Sequence, residues 1–400
     1  MALTPVKQAK DEILHGVKPT PVEKVPLAKA AGRILARDLK AGRDQPPFDS
    51  SAMDGYAVVG RDVMRTPAEL QVIGEAPAGR AFDGVVKPGQ AVRIFTGAPL
   101  PKGSDTVVIQ EDCDKDGDRV TVRESAKHAA FVRQKGLDFK RGEKLIEAGQ
   151  LLGARETAIA AAMNHAAVPV RRRPRIAIMP TGDELVDPGV KPRPDQIVSS
   201  NNFALAAMIS RYGGEPVDLG IVPDDEAALA DAIGKAESCD VLVTLGGASV
   251  GEHDLVQDAL RAAGMKLSFY KIAMRPGKPL MFGKLKKMRV LGLPGNPVSA
   301  IVCARLFLKP LIDSLLGLDP EDAPVPGRLG SDVPANDERQ DYLRAKLASG
   351  VDGSLIALPF ARQDSSMLRR LMESDCLVIR PPNAPRAFKG QQVELIRLDF

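Results

Sequence analysis

Acids, glycines and lysines gather behind four short apolar runs of this chain. In TGDELVDPG the turn Thr181–Gly182 follows RIAIMP and presents Asp183 and Glu184. Paired carboxylates on one loop could hold a hydrated Mg²⁺, an ion that keeps several waters and takes one or two carboxylates rather than a full protein cage. Asp224 and Asp225 follow the second run, PVDLGIVP, and stand just before EAALADAI. One of the two is expected to cap that helix, which leaves the other for metal or phosphate. TLGGASVGEHD joins Gly246, Gly247, Ser249 and Gly251 to Glu252, His253 and Asp254, ahead of the helical text DLVQDALRAAG. Backbone N–H groups in such a strand-to-helix turn could cradle a phosphate.

Cations follow. MRPGKP sets Arg275 and Lys278 on a Pro/Gly turn close to Lys271, a concentration of positive charge suited to an oxyanion or phosphate. LPGNPVSA comes after the last run, and Pro294 and Pro297 fix a rigid turn able to shape a pocket wall. Far upstream, PPFDSSAMDGYAV packs Asp49, Ser50, Ser51 and Asp54 into a polar turn, and GLDFKRGE carries Asp138. Each motif also has a plain use: Asp183 as a turn cap, the glycines as room for helix packing, the lysines as surface charge. His15, His128, His165 and His253 are scattered, and no catalytic histidine is expected.

These loops need a scaffold. The runs RIAIMP, PVDLGIVP, DVLVTLGG and MRVLGLPG are mostly followed by helix-length amphipathic or Ala-rich text, which predicts a parallel sheet wrapped by helices. Ligands of such sheets settle beyond the carboxyl ends of the strands, so TGDEL, PDD, GGASVGEHD and PGNP should share one rim.

Four hundred residues exceed one core, so the chain is read as modular. Residues 1–45 with 143–172 read as a helical and extended domain, with helices near 5–15 and 154–166 packed together and a second helix or extended arm at 27–39. Residues 46–142 carry YAVVG, LQVIG, AVRIF, DTVVIQ and RVTVR among frequent Gly and Pro, an inserted small β domain. Residues 173–320 form the α/β domain, and 321–400 repeat short strands spaced like a small antiparallel barrel.

Composition excludes some classes. With no Trp, 4% aromatics and a net charge of +4, no nucleic-acid surface is expected. No apolar stretch reaches the roughly 18 residues of a membrane span, and no signal peptide opens the sequence. Cys113, Cys239, Cys303 and Cys376 are widely spaced without metal-ligand pattern, which fits reduced thiols and a cytoplasmic home. The run of Arg171, Arg172, Arg173 and Arg175 is read as a solvated linker.

In this order, PPFDSSAMDGYAV, RIFTGAPLPKGSDTVV, GLDFKRGE, PTGDEL, TLGGASVGEHD, RPGKP and LPGNPVSA give the chain a resemblance, nearly end to end, to the MoeA family of molybdopterin molybdenumtransferases, also represented by the gephyrin E domain. TGDEL and GGASVGEHD alone would also suit the molybdopterin adenylyltransferases, and the inserted β domain and C-terminal barrel decide for MoeA. The resemblance implies an α/β multidomain chain with a doubly wound, MogA-like molybdopterin-binding domain, the inserted β domain, a helical and extended linker domain and the barrel. It implies an elongated homodimer with the site enclosed between chains. It further implies adenylated molybdopterin and molybdate as substrates, transfer of the metal to the dithiolene sulfurs, hydrolysis of the adenylate to AMP, and Mg²⁺ as cofactor. Partners would include the adenylyltransferase and the apo-molybdoenzymes.

Carried over by motif, Glu184, Asp224 and Asp254 become rim acids for the metal and pyrophosphate, with Asp54 and Asp138 as further catalytic acids from the inserted domain. Thr181, Gly182, Gly246, Gly247, Ser249, Gly251, Pro294 and Pro297 become substrate-binding, and Lys271, Arg275 and Lys278 anion ligands. Arg344 and Ser365 resemble the family's molybdate-binding Arg and Ser. Arg275 stands where the family usually has Lys, and Asp364–Ser365 where it has Gly-Ser. An added carboxylate there raises the cost of a bound oxyanion unless it is turned away or paired with Arg362. Two other functions stay open at this point: a molybdopterin adenylyltransferase using ATP, and a non-catalytic dimeric scaffold.

Overall fold

A computed structural model describes residues 3–246, 255–321, 323–398 and 400. Packing divides the chain into two compact units, one of residues up to Glu23 together with Arg171–Phe400, the other of Lys24–Val170. Among the described residues no helix is long and apolar enough to cross a membrane.

The first unit opens with α1 (Val6–Leu14), whose Ala9 and Ile13 lie one turn apart and are buried. The chain then supplies β1 (Arg175–Pro180), α2 (Asn201–Arg211), β2 (Glu215–Asp218), α3 (Glu226–Ala236), β3 (Val241–Leu245) and α4 (Leu255–Ala262). It continues with β4 (Lys266–Phe269), β5 (Met281–Leu285), β6 (Met288–Leu293), α5 (Pro297–Cys303) and α6 (Lys309–Leu316). The sheet order is β2-β1-β3-β6-β5-β4. All four expected strands are present and run parallel, and beyond β6 the pairings β6–β5 and β5–β4 are antiparallel.

The apolar runs are continuous because both faces are covered. Every residue of β3 is buried, and β1 sends Ala177 and Met179 into a cluster with Leu229, Ala232 and Ile233 of α3 and Val256 and Leu260 of α4. On the opposite face α2 packs on β1 and β2, and α5 on β6. Each fully buried aliphatic side chain contributes about 1.5–3 kcal/mol, so this two-faced burial makes the strand ends a stiff rim. α1 differs from expectation: it packs on α6 of this unit. Thr4 explains part of the docking, since its N–H donates to the Lys271 carbonyl at 3.0 Å and its carbonyl accepts from Ala273 N–H at 2.8 Å.

The same unit ends in a barrel of β7 (Val325–Leu329), β8 (Gln340–Ser349), β9 (Leu355–Pro359), β10 (Cys376–Arg380) and β11 (Gln392–Arg397). Its order β8-β9-β7-β11-β10 closes back on β8, around Leu329, Ala345, Ala357, Cys376, Val378 and Leu395. One seam departs from the antiparallel expectation, because β7 and β9 pair in parallel. A two-residue strand, Met274–Arg275, adds in parallel to β8 at Gln340–Asp341 and so fastens the MRPGKP turn to the barrel.

In the second unit a six-stranded sheet is built from Thr106–Ile109, Gly55–Val58, Gln90–Ile94, Ala68–Ala76, Arg119–Val122 and Cys113–Asp116, in that order. A separate core joins the helix Ala154–Ala162, through Ala160, to Ala30, Leu35, Leu39, Phe139 and Val170. The arm at 27–39 is extended after a short 3₁₀ turn at Leu27–Lys29; Leu35 bridges Val170 and Ile34 bridges Leu151.

Candidate active site

A cleft of about 680 Å³ opens at the carboxyl ends of the parallel strands in the first unit. Pro180 and Thr181 after β1, Leu245 and Gly246 after β3, and Pro294 and Gly295 after β6 line it. Ser200 and Asn201 bring the start of α2, Asn296 and Pro297 the start of α5, Pro279 the MRPGKP turn, and Ser366 a loop of the barrel. Two helix beginnings therefore meet three strand ends at one opening, the arrangement that suits anions in doubly wound sheets.

Two glycines let the floor close up. Gly246 has φ +97°, and a Cβ there would sit 2.7 Å from the Thr181 carbonyl oxygen. Gly182 has φ +140°, and a Cβ there would collide with the Glu184 carboxylate, which folds back over it. The backbone ties are close: Thr181 N–H donates to the Leu245 carbonyl at 2.9 Å and Gly182 N–H to that of Val222 at 3.3 Å. Only residues without side chains fit this contact of adjacent turns.

Of the rim acids, Glu184 lines the cleft. Asp183 Oδ1 accepts the Asp224 N–H at 3.2 Å, so these two turns touch. Asp225 is the helix cap foreseen for one of the pair: its Oδ1 accepts from Ala228 N–H at 2.9 Å. Gly247, Ser249, Gly251 and Asp254 lie outside the described residues. Asp54 and Asp138 belong to the second unit. There Asp54 Oδ1 accepts from the N–H and hydroxyl of Thr96 at 2.8 and 2.7 Å, and these bonds hold its carboxyl below the ordinary range. Asp138 is exposed, with its N–H on the Gln45 carbonyl at 2.9 Å.

Two cations expected to bind an anion are used within the fold. Arg275 grips the buried carboxylate of Asp341 at 2.9 and 2.6 Å and lies 3.6 Å from Asp337. A bidentate pair of this kind occupies one edge of the guanidinium, and through that edge Arg275 clamps the turn to the barrel. Arg344 is 1% exposed. Its Nη2 donates to the Asp364 carbonyl at 2.9 Å, Nη1 to that of Met367 at 3.2 Å, and Nε to Gln363 Oε1 at 3.3 Å. Burial lowers its pKa. Through these three bonds Arg344 holds the 363–367 loop. Lys271, half-buried over the Tyr270 ring at 5.4 Å, and the exposed Lys278 remain as cations of the turn.

Ser365 turns its carbonyl to Val298 N–H at 3.1 Å, while its neighbour Ser366 lines the cleft. The Asp364 carboxylate is not paired with Arg362 but caps the turn, accepting from Ser366. Sequence reading also missed the wall at 197–201. There Asn201 Nδ2 donates to the Gly295 carbonyl at 2.7 Å across the cleft. Ser199 and Asn202, both buried, link by a 3.0 Å bond, and Asn202 reaches Asp218 at 3.2 Å. The cluster SSNN before a helix was the available signal, muted because the strand before it, Ile197–Val198, is only two residues long.

Three family models match the chain: the MoeA N-terminal region (domain I and II) over residues 4–164, a probable molybdopterin binding domain over 177–314, and the MoeA C-terminal region (domain IV) over 326–398. A molybdopterin molybdenumtransferase of Nostoc sp. is 39% identical over 94% of this chain and 88% of its own length. One from Haemophilus influenzae is 34% identical over 97% of both. A crystal structure of a molybdopterin biosynthesis MoeA protein from Pyrococcus horikosii superposes with a TM-score of 0.85 at 32% identity, covering 100% of both chains.

Proposed function

The chain belongs to the MoeA family and is an enzyme of molybdenum cofactor biosynthesis that transfers molybdenum to molybdopterin, and from that premise we propose that the cleft at the sheet rim is where the transfer occurs. The substrates on this reading are adenylated molybdopterin and molybdate. The two dithiolene thiolates bond to molybdenum as one oxo group leaves with two protons as water. A second water attacks phosphorus, the phosphoanhydride P–O bond breaks, and AMP departs.

The observation that carries the reading is the make-up of the cleft: among the described residues one carboxylate, Glu184, beside the starts of α2 and α5, with the lysine-bearing turn entering through Pro279. Helix starts and lysines favour phosphate and oxyanion charge. Glu184 suits the orientation of an attacking water, and Thr181, Gly182 and Gly246 let a ligand approach the backbone.

A Mg²⁺ shared with the substrate's phosphates fits the described acids better than a protein cage. Glu184 faces the cleft, Asp183 and Asp224 sit on touching turns, and no group of three metal-binding side chains converges among the described residues. When bound, the ion would screen the pyrophosphate charge. Glu184 and Asp224, with Asp254, are the residues proposed to hold it.

The same reading includes a homodimer in which a second copy supplies Asp54 and Asp138, and a cytoplasmic protein that receives its substrate from an adenylyltransferase and passes product to apo-molybdoenzymes. The decisive experiment incubates purified protein with adenylated molybdopterin, molybdate and Mg²⁺ and follows AMP. Release that depends on molybdate and falls at least tenfold in Glu184→Gln is expected, and an unchanged rate in that variant would remove Glu184 and this cleft from the chemistry. Sedimentation at micromolar concentration tests the dimer.

A further inference from the structure

The turn that carries Lys271 and Lys278 is closed by its own backbone and steadied by Thr4. The Ile272 N–H donates to the Lys278 carbonyl at 2.9 Å, and the Leu280 N–H reaches the same carbonyl at 3.0 Å. The backbones of the two lysines are thereby brought together at the base of one loop, and the residue after Lys278, Pro279, lines the cleft. Ala273 is the junction: its carbonyl receives the Gln340 N–H of β8 at 2.9 Å, and its N–H donates to the Thr4 carbonyl at 2.8 Å. With the Thr4 N–H on the Lys271 carbonyl at 3.0 Å, residue 4 forms a parallel bridge to Ile272, which is wholly buried. Among the described residues no carboxylate pairs with either lysine.

The sequence around residue 4 suits this task. A residue before proline is driven to extended backbone, and Pro5 stands next to Thr4 at the start of α1. Ala9 and Ile13 are buried where α1 packs on α6, and Arg289 holds the other end of the helix through the carbonyls of Ile13 and His15 at 3.3 and 3.0 Å. The helix is the anchor, and Thr4 is held out from it as a strand of one residue. Both of its bonds are made by backbone, so its side chain is not what the turn uses.

We propose that this N-terminal segment is a positioning element for the transfer reaction: by bracketing Lys271 and Ala273, residue 4 fixes the backbone from which Lys271 and, through Ile272, Lys278 hold the oxyanion. Chain ends fray at little cost unless they are tied down. A lysine already loses rotamer freedom when it binds an anion, and a backbone that also had to be ordered would add to that cost. Molybdate, a compact dianion held by point charges, depends on this readiness, whereas molybdopterin has the walls of the cleft as well. This rests on the proposed reaction with both lysines as anion ligands.

The test varies molybdate and molybdopterin separately in the insertion reaction. Thr4→Pro removes the N–H that the Lys271 carbonyl receives, and should raise KM for molybdate about two- to tenfold, the range for one hydrogen bond, with kcat and KM for molybdopterin nearly unchanged. Thr4→Val keeps both backbone bonds and should restore the parent values. Hydrogen exchange at the Ala273 amide, followed by mass spectrometry, should quicken in Thr4→Pro alone. A chain lacking residues 2–4, which starts at Pro5 once its initiator methionine is removed, should shift the molybdate KM at least as far. An unmoved molybdate KM in both Thr4→Pro and the shortened chain overturns the proposal even if exchange quickens, because the bridge is then structural only, and so does an equal rise in the two KM values. Lys271→Ala separates the two levels: if it raises the molybdate KM while Thr4→Pro does not, the positioning role alone is wrong, and if both are silent the lysine turn is no oxyanion site and both readings fall.

Discussion

Replacing Arg344 by Met is the most informative single change. It removes a fully buried side chain, the largest such among the described residues, and its three side-chain hydrogen bonds, yet Gln363 Oε1 keeps a donor in the residue 344 backbone N–H at 3.0 Å. The carbonyls of Asp364 and Met367 lose the guanidinium but keep backbone donors, Met367 N–H at 3.3 Å on the first and Arg370 and Leu371 N–H at 3.1 and 3.3 Å on the second. No acceptor is orphaned, so each of the three lost bonds costs about 0.5–1.5 kcal/mol. Met also needs no buried charge, which offsets part of the loss. The net is about 2 kcal/mol, or roughly 4–8 °C in Tm for a unit of this size. Arg344→Lys, with a shorter reach to one carbonyl, should lose about half as much. The chain has no Trp, so calorimetry is the suitable probe. The released loop should also raise KM for molybdopterin. Full stability with a raised KM for molybdate alone would refute this reasoning and put the guanidinium on the oxyanion.

Asp341→Asn breaks the bidentate pair with Arg275; with Arg275 46% exposed the loss should be about 1–2 kcal/mol, and unchanged calorimetric stability would show the clamp to be idle. Asp54 has a folded pKa depressed by Thr96, so its stabilisation is present above the unfolded value near 4 and is lost as pH falls through the folded one; Asp54→Asn should flatten the acid limb of Tm between about pH 5 and pH 2, and a limb of unchanged slope would contradict it. Burial, then Asp375, pushes the Cys376 thiol up to about 12, burial, then Asp112, pushes Cys113 to about 11, and burial alone lifts Cys303 higher still. Reaction of native protein with a disulfide reagent at pH 8 should therefore be slow, with all four thiols released only on unfolding; a rapid native thiol would disprove it.

The parallel sheet was legible because strands buried on both faces write their apolar runs without interruption, and RIAIMP and VLVTL do so. The arm at 27–39 was ambiguous, since Leu27, Ile34, Leu35 and Leu39 suit a helix or an extended chain equally, and Gly32 at φ +75° with Pro26 breaks the helix. The rim acids and the glycine turns were visible as residue types in strand-end loops. The fates of Arg275 and Arg344 were not, because their partners stand 66 and about 20 residues away, and pairing at that distance leaves no local pattern. Which of two adjacent serines faces the cleft depended on one turn capped by Asp364, a matter of backbone direction rather than composition.

The two hydrogen bonds that Thr4 makes around Lys271 and Ala273 have an outcome for biosynthesis. They join stretches of polypeptide as far apart as residues 4 and 271, with the whole of Lys24–Val170 emerging from the ribosome between them. Contacts of such separation form late, whereas Lys24–Val170 is contiguous and free to fold during synthesis. The lysine turn is therefore among the last parts of the first unit to be locked, and a nascent chain stalled before residue 271 would hold a finished second unit and a sheet still lacking β5 and β6.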